Sequence, residues 1–568
     1  MAGTEATRAS PSGRAVAGRR GRSALQEKER TGNIIASDAK QGEGGAATSS
    51  GDAMPDGTAP TGSELELKLC VESDRLADFN EAPLIAASAQ RQGARAHLKA
   101  VYYDTPERVL WRNGLSFRVR QSGSRFKQTV KTEIGDDPLR RGEWETAVPS
   151  IAPDVALAMP FIPAKLRSDL ESRPLEPVFV SDIHRHQRIV DLPSGTIEVA
   201  FDRGVLTSGD RSMPVSEIEL ELKRGSASAI YELALRLAEH GPVRPSIRSK
   251  AARGFDLAAD RPPAVKRPRK LRLDPAMPLE DAFAAILRSC FRQLLQSLPA
   301  AEDGRNPEGI HQLRVALRRL RSALDLMRSV GSLSKVESLR SEAKWLTQSL
   351  SAARDWDIFL TKTLPAITQV CPSVAGFDAL AEGAEKHRSA AYREAGAVLA
   401  GRRCAGFVLE LGAWIEARGW RSDVALDGFA HLAEPAIDFA RRILPDHYVK
   451  VLKRGRHFKS LAVEERHRLR LAVKRLRYVC DFLLPLYGRR KFARRFAEKL
   501  AVLQDELGSF NDMSTTASLP TPSPAPSPPG ATTSSTPRAV VTVCPRAVPC
   551  TRLASPRNWA TSASRGRR

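Results

Sequence analysis

Glu64-Leu65-Glu66-Leu67-Lys68 alternates strictly, which puts three charges on one face of a β-strand and two leucines on the other. One such strand would fit a sheet edge with its polar side in water. The pattern recurs in five further segments, however: Phe117-Arg118-Val119-Arg120, Lys127-Gln128-Thr129-Val130-Lys131, Glu143-Trp144-Glu145, Glu198-Val199-Ala200-Phe201-Asp202 and Glu217-Ile218-Glu219-Leu220-Glu221-Leu222-Lys223. Strands with both signs of charge on one face predict a closed barrel with a polar lumen. The apolar face then points outward, under helices such as residues 230–239. Carboxylates crowded into one lumen repel unless cations lie between them. Oxygen ligands suit the hard cations Mg²⁺ and Mn²⁺, which often bridge to substrate phosphates. Lys and Arg supply point and forked contacts to phosphate oxygens. Acids for a metal and bases for phosphate in one tunnel make a phosphoryl-transfer site.

The rest of the chain divides by texture. Residues 1–62 are rich in Gly, Ala, Ser, Thr and charge without sustained periodicity, and read as a disordered extension. Short alternating segments punctuated by Gly, Pro and Asp make residues 63–258 the β domain. Residues 259–278 are a stiff, basic, Pro-rich linker. Over residues 279–513 Gly and Pro thin out and the apolar period becomes helical. In residues 514–568, Pro, Ser and Thr dominate, with seven Arg but no Lys, Asp or Glu. Such a segment builds no core. Its abrupt start, in the middle of a helical element, reads as a change of reading frame near Asp512, against the alternative of a disordered tail.

The helical region repeats. His311-Gln-Leu-Arg314-Val-Ala-Leu-Arg318-Arg319-Leu-Arg321 returns 156 positions later as His467-Arg-Leu-Arg470-Leu-Ala-Val-Lys474-Arg475-Leu-Arg477. Steps of three and four place His311, Arg314, Arg318 and Arg321 on one helical face, and His467, Arg470, Lys474 and Arg477 on its copy. Beside each runs an apolar stripe: Leu313, Leu317, Leu320 and Leu324, then Leu469, Val473, Leu476 and Cys480. Leu350-Ser-Ala-Ala-Arg354-Asp355 is echoed by Leu507-Gly-Ser-Phe-Asn511-Asp512. A duplication predicts two similar bundles related by a pseudo-twofold. The second copy stops near Asp512, so its closing helices are expected to be missing. Like charges stacked along a helix destabilise it by a few tenths of a kcal/mol per pair, a cost that a polyanion would relieve with release of counterions. Aromatics for stacking bases are nearly absent from these stripes, which disfavours single-stranded nucleic acid and favours a bare phosphate polymer.

Composition agrees. Lys and Arg number 88 against 65 acids, a formal charge of +23, which points to polyanionic partners. Seven scattered Cys give neither a disulfide scaffold nor a paired zinc spacing. No apolar run reaches the roughly 18 residues of a membrane span, and the N-terminus lacks the apolar segment of a signal peptide. A cytoplasmic protein without a membrane partner is expected.

The β region also carries a resemblance. Glu64-x-Glu66-x-Lys68, Tyr102-Tyr103-Asp104-Thr105-Pro106, Leu115-Ser-Phe-Arg118-Val-Arg120, Gln128-Thr-Val-Lys131 and Arg141-Gly-Glu143-Trp-Glu145 resemble the CYTH, or triphosphate tunnel metalloenzyme, family in order. Asp182-Ile-His-Arg185, Ile197–Asp202, Glu217-Ile-Glu219-Leu-Glu221 and Ser249-Lys250-Ala-Ala-Arg253-Gly254 continue it. The resemblance implies an α+β chain that opens with an eight-stranded antiparallel tunnel hydrolysing the terminal phosphate of a triphosphate with Mg²⁺ or Mn²⁺. It implies metal ligation by Glu64 and Glu66, with Glu217 and Glu219 as further metal ligands or water-orienting acids and Glu143 and Glu145 as either ligands or positioners of basic side chains. Phosphate oxygens would fall to Lys68, Arg118, Arg120, Lys131, Arg185 and, less directly, Lys250; Glu198 and Asp202 are further acids of the same set. Tyr103 and Trp144 are expected to pack, and His184 and His186 to lie at the surface. The helical half resembles the CHAD domain, which implies binding of inorganic polyphosphate by His311, Arg314, Arg318, Arg321, His467, Arg470, Lys474 and Arg477, with helix capping or packing as the alternative role for the two His. Inorganic triphosphate is the leading substrate. Thiamine triphosphatase and adenylate cyclase activities are the alternatives on this fold, and a non-catalytic polyphosphate binder is the alternative outside enzymology.

Overall fold

The computed structural model describes residues 63–88, 93–133, 140–331, 333–372, 376–488 and 490–516. The expected N-terminal extension lies outside them, as does the tail beyond Thr516.

The first half is a sheet of nine antiparallel strands: β1 (Ser63–Cys70), β2 (Ala94–Asp104), β3 (Leu115–Ser122), β4 (Arg125–Glu133), β5 (Arg140–Val148), β6 (Glu176–Leu192), β7 (Gly195–Ser208), β8 (Arg211–Gly225) and β9 (Arg244–Ser246). Their order is β5-β4-β3-β2-β6-β7-β8-β1-β9. The two ends of the series meet, because β5 also pairs with β1 through Ser63–Gly142, Glu64–Arg141 and Leu65–Arg140. The sheet therefore curls into a tunnel whose seam is joined over three residue pairs. Further along the same β1 edge, β9 pairs with Lys68–Cys70. This ninth strand corrects the expected count of eight. It is three residues long with a proline at its centre, so it carries no alternation to read. The β3–β4 and β7–β8 loops are two residues long and open on Gly123 and Gly209, both at positive φ, where glycine meets no steric penalty.

Alternation decides what each face does. The odd members of β1 (Leu65, Leu67, Leu69) and Ile218 and Leu220 of β8 are buried outside the tunnel against the helix Ser228–His240, which contributes Ile230, Leu233, Ala234 and Leu237. Phe117, Val119, Val130, Tyr103 and Trp144 form a second outer cluster with Leu166 and Leu170 of the helix Ala164–Ser172. A third joins Phe179, Val215 and Phe255 of the helix Lys250–Ala258.

The second half is helical. Leu279–Asp303 packs on Pro307–Met327, and Ala436–Gly455 on Val463–Leu483. Pro307–Met327 and Val463–Leu483 are each 21 residues long and start 156 positions apart, so the repeat read in the sequence is a repeat of structure. These two helices pack on each other, with the Arg319 guanidinium 5.2 Å from the Phe482 ring centre. All eight residues of the predicted apolar stripes are buried. One continuous core joins the halves: Tyr231 of the tunnel's helix meets Phe291 at 6.2 Å between ring centres. Tyr231 also lies over Gly412 of Arg402–Glu416, where a Cβ would come within 2.2 Å of the ring. The last helix, Arg490–Thr516, runs on past Asp512 and packs against Val463–Leu483.

Candidate active site

The strands bring their charges together in register. Across β6, β7 and β8, Arg185 faces Asp202 and Asp202 faces Glu217. Two residues along, Ala200 faces Glu219, which faces Lys68 of β1. Two further, Glu198 faces Glu221, which faces Glu66. On the opposite wall Ser116, Lys131 and Glu143 align across β3, β4 and β5, as do Arg118, Thr129 and Glu145. The cavity between these walls measures about 910 Å³. Nine Lys or Arg and seven acids line it, with apolar side chains such as Leu98, Phe126, Val148 and Ile183 between them, so it is rich in both signs of charge and slightly cationic.

Ion pairs order this lumen. Carboxylate oxygens of Asp202, Glu217 and Glu219 lie within 4.8 Å of one another. The Lys250 ammonium sits among them, 2.6 Å from Asp202 Oδ2, 3.0 Å from Glu219 Oε1 and in contact with Glu217. An ammonium has three donors, and these three acids use them all. Arg185 grips Asp202 with two parallel bonds of 2.7 and 2.6 Å and also reaches Glu219. Arg253, one helical turn after Lys250, contacts Glu217 from behind. Lys68 bridges Glu66 and Glu219, the latter at 3.1 Å. On the other wall Lys131 is 2.7 Å and Arg118 3.6 Å from Glu143. Glu145 accepts from Arg120 at 3.1 Å, Lys127 at 2.8 Å and Thr129 at 3.2 Å.

These pairs set the charges. Burial opposes ionisation of Glu219, but Lys250, Lys68 and Arg185 outweigh it and hold its carboxyl well below the usual range. Burial likewise opposes the charges on Lys250 and Arg185, and their acids reverse the effect and raise both. Burial works against Arg118 too, and is outweighed by Tyr102 and Glu143. Arg120 is lowered, first by the neighbouring Arg118 and then by burial. Two adjacent guanidinium groups that repel in this way are a standing attraction for an anion.

Of the residues singled out in the sequence, Glu66, Lys68, Arg118, Arg120, Lys131, Glu143, Glu145, Arg185, Glu219 and Lys250 line the cavity. Glu64 occupies the β1–β5 seam opposite Arg141, and its side chain is outside the described set. Glu217 is fully buried beneath Lys250 and Arg253, and is not part of the lining. Asp202, a lesser acid in the sequence reading, is central. Arg253 stands in the sequence motif without an assigned role; its position three residues after Lys250 on one helix is the signal that places it beside the same acids. His184 is on the outer face, stacked on His97 at 4.4 Å.

In the helical half the first basic stripe is half-buried. Arg314 donates to the Thr347 carbonyl at 2.7 Å and to Ser351 Oγ at 2.8 Å. Burial and the cations Arg354, Arg318 and Arg314, against Glu308, push His311 down to about 4. Burial and Arg318 push Arg314 down to about 10. Arg321 is lowered by burial, by Arg340 and by Arg475 of the second copy. His467 of the second copy is exposed, and Arg470, Lys474 and Arg477 are partly buried.

Residues 62–255 match the family model of the CYTH domain and residues 285–519 that of the CHAD domain. A protein of Haemophilus influenzae named inorganic triphosphatase is 28% identical over 201 residues, 34% of this chain and 55% of that protein. The uncharacterised protein Rv2226 of Mycobacterium tuberculosis is 25% identical over 292 residues, 47% and 53% of the two chains. The chain thus spans about half the length of the curated relatives it matches. Among solved structures, the CHAD domain from Ricinus communis is 34% identical, covering 44% of this chain and 81% of its own, with a TM-score of 0.38.

Proposed function

We propose that this chain, a CYTH domain followed by a CHAD domain, hydrolyses inorganic triphosphate to diphosphate and phosphate in the tunnel and binds inorganic polyphosphate on its basic helices. The observation that carries the reading is the lumen itself: acids of β1, β7 and β8 face cations of β3 and β4 across one cavity. A simple anion binder gains nothing from Glu66, Glu198, Glu219 and Glu221 in such a space. Oxygen donors alone fit a hard divalent cation, and Mg²⁺ or Mn²⁺ would be held by Glu66 and Glu219, with Glu64 assigned on the sequence motif. The bound metal would neutralise phosphate charge as the terminal anhydride breaks.

The chain's own residues do the rest. Arg118, Arg120, Lys131 and Lys68 take the phosphate oxygens, and Arg185, anchored on Asp202, presents its remaining donors to the lumen. Lys250 holds Asp202, Glu217 and Glu219 in place and has no N–H left for substrate. Glu143 and Glu145 orient the basic wall, which favours positioning over metal ligation. The repulsion between Arg118 and Arg120 falls when a phosphate lies between them, so binding energy is concentrated where charge is transferred.

Sixteen charged side chains in the lining suit an inorganic substrate, and of its aromatic residues Tyr102 is already stacked on Phe179 in the wall at 4.2 Å. The test is phosphate release by the full chain from inorganic triphosphate, ATP and thiamine triphosphate at equal concentration. A rate on inorganic triphosphate at least tenfold above the others supports the reading, since that ratio is about 1.4 kcal/mol of discrimination; equal rates, or a preference for an organic triphosphate, contradict it.

A further inference from the structure

A second cavity, of about 370 Å³, opens between the basic linker and the first long helix of the helical half. It is separate from the tunnel and from the repeated stripes. Arg269, Lys270 and Arg272 line it from the linker, and Arg288, Arg292 and Gln293 from Leu279–Asp303. Leu271 and Leu273 alternate with Lys270 and Arg272 and pack against the core, so the linker is tied down along this helix.

The floor of the cavity is built, and its polarity is fixed from below. Arg292 is 5% and Gln293 1% exposed. Buried Arg319 donates from Nη1 to Gln293 Oε1 at 3.1 Å and from Nη2 to Ser289 Oγ at 3.3 Å. A guanidinium has no acceptor, so the amide oxygen of Gln293 must face Arg319 and the amide cannot flip. Gln293 Nε2 is left as a buried donor without a partner among the described residues. Ser289, which also lines the cavity, accepts from Arg319 through a lone pair, which leaves its own O–H as a donor. The acid of the lining, Glu416, is taken by Arg288 through two bonds of 2.9 and 2.8 Å. The lining thus sets the positive charge of Arg269, Lys270, Arg272 and Arg292 around Gln293 Nε2, a buried amide N–H that costs free energy until it is satisfied.

We propose that this cavity is a second anion site, taking a small phosphate-type oxyanion such as inorganic diphosphate, with Gln293 and Arg292 at its floor and Arg269, Lys270 and Arg272 closing it from the linker. The inference rests on donor chemistry alone and stands whether or not the tunnel hydrolyses triphosphate. A ligand here would clamp the segment that joins the two halves.

The test is equilibrium dialysis of the full chain against radiolabelled diphosphate, comparing the parent with the Arg269→Ala/Lys270→Ala/Arg272→Ala variant and with Gln293→Glu. The three linker side chains are exposed, so their truncation leaves the fold intact. Gln293→Glu turns the buried donor into a carboxylate. Each variant is expected to lose about one bound equivalent, with at least a tenfold weaker fit at that site. Binding equal to the parent's in the linker variant overturns the proposal; if Gln293→Glu does not fold, the linker variant alone decides. Repeating the dialysis with orthophosphate separates a site for single phosphates from one that needs a phosphoanhydride.

Discussion

Lys250 shows how much a single side chain can organise. Its ammonium is the partner of three acids that are buried or nearly so. Removing one member of a buried charge cluster typically costs about 3–5 kcal/mol. Lys250→Met should therefore lower stability by that order in urea denaturation, and adding Glu217→Gln should recover part of the loss. Recovery is the diagnostic, because mere loss of packing would not be relieved by neutralising an acid. The pH dependence has a definite sign. The carboxyl of Glu219 is held low in the folded protein, so its contribution is present above the ordinary carboxylate range and is lost as pH falls through its depressed value. His311 also titrates low, at about 4 against an ordinary 6.5, so its contribution is complete above about pH 6.5 and is lost on acidification toward pH 4. A bound polyanion would favour the imidazolium, so NMR titration of His311 should show its pKa rising when polyphosphate is added, and an unmoved pKa would remove His311 from the binding surface. The sequence motif pointed to Lys250 as a phosphate contact. Its engagement by three acids depends on how Lys250–Ala258 docks over β7 and β8, a tertiary fact that spacing along the chain does not encode.

Among the elements, the long strands and the repeated helices were legible, because each carries a period that only one backbone geometry satisfies. β9 was not, and neither was the short β1–β5 seam, since both are three-residue pairings made by whatever edge is near. The contact between Ser228–His240 and Arg402–Glu416 was equally hidden: Gly412 reads as a weak point in a helix until Tyr231 is seen lying over it. Ala at an ordinary helical glycine gains up to about 1 kcal/mol of propensity. Here the new Cβ would meet a fully buried ring that has little room to move, and overpacking costs about 1–3 kcal/mol. Gly412→Ala should thus be net destabilising, with a lowered melting temperature by calorimetry. A raised melting temperature would mean that Tyr231 repacks freely and that the junction between the halves is soft.

At the scale of the whole molecule, seven of the surplus positive charges lie in residues 514–568, and a mixed-charge tunnel, two basic helices packed on each other and a basic linker share in the rest. If the helices bind polyphosphate through charge, affinity should fall steeply with salt, and Arg318→Glu with Lys474→Glu should flatten that slope while leaving triphosphate turnover in the tunnel unchanged. Filter binding at several salt concentrations reads the slope directly, and an unaltered slope would move polyphosphate binding elsewhere. Charge alone suggested polyanions; only the alternation in six segments distinguished a lumen from a basic surface. The central claim is that the tunnel is a metal-dependent triphosphatase, and the most direct test is phosphate release from inorganic triphosphate by the full chain with Mg²⁺, with EDTA, and with Arg118→Ala in Mg²⁺. Chelation should abolish release, and Arg118→Ala should slow it on the order of 10²-fold or more, the usual loss for one charge-stabilising donor. Release that survives both EDTA and Arg118→Ala, or triphosphate that binds in the tunnel without being cleaved, would contradict the claim.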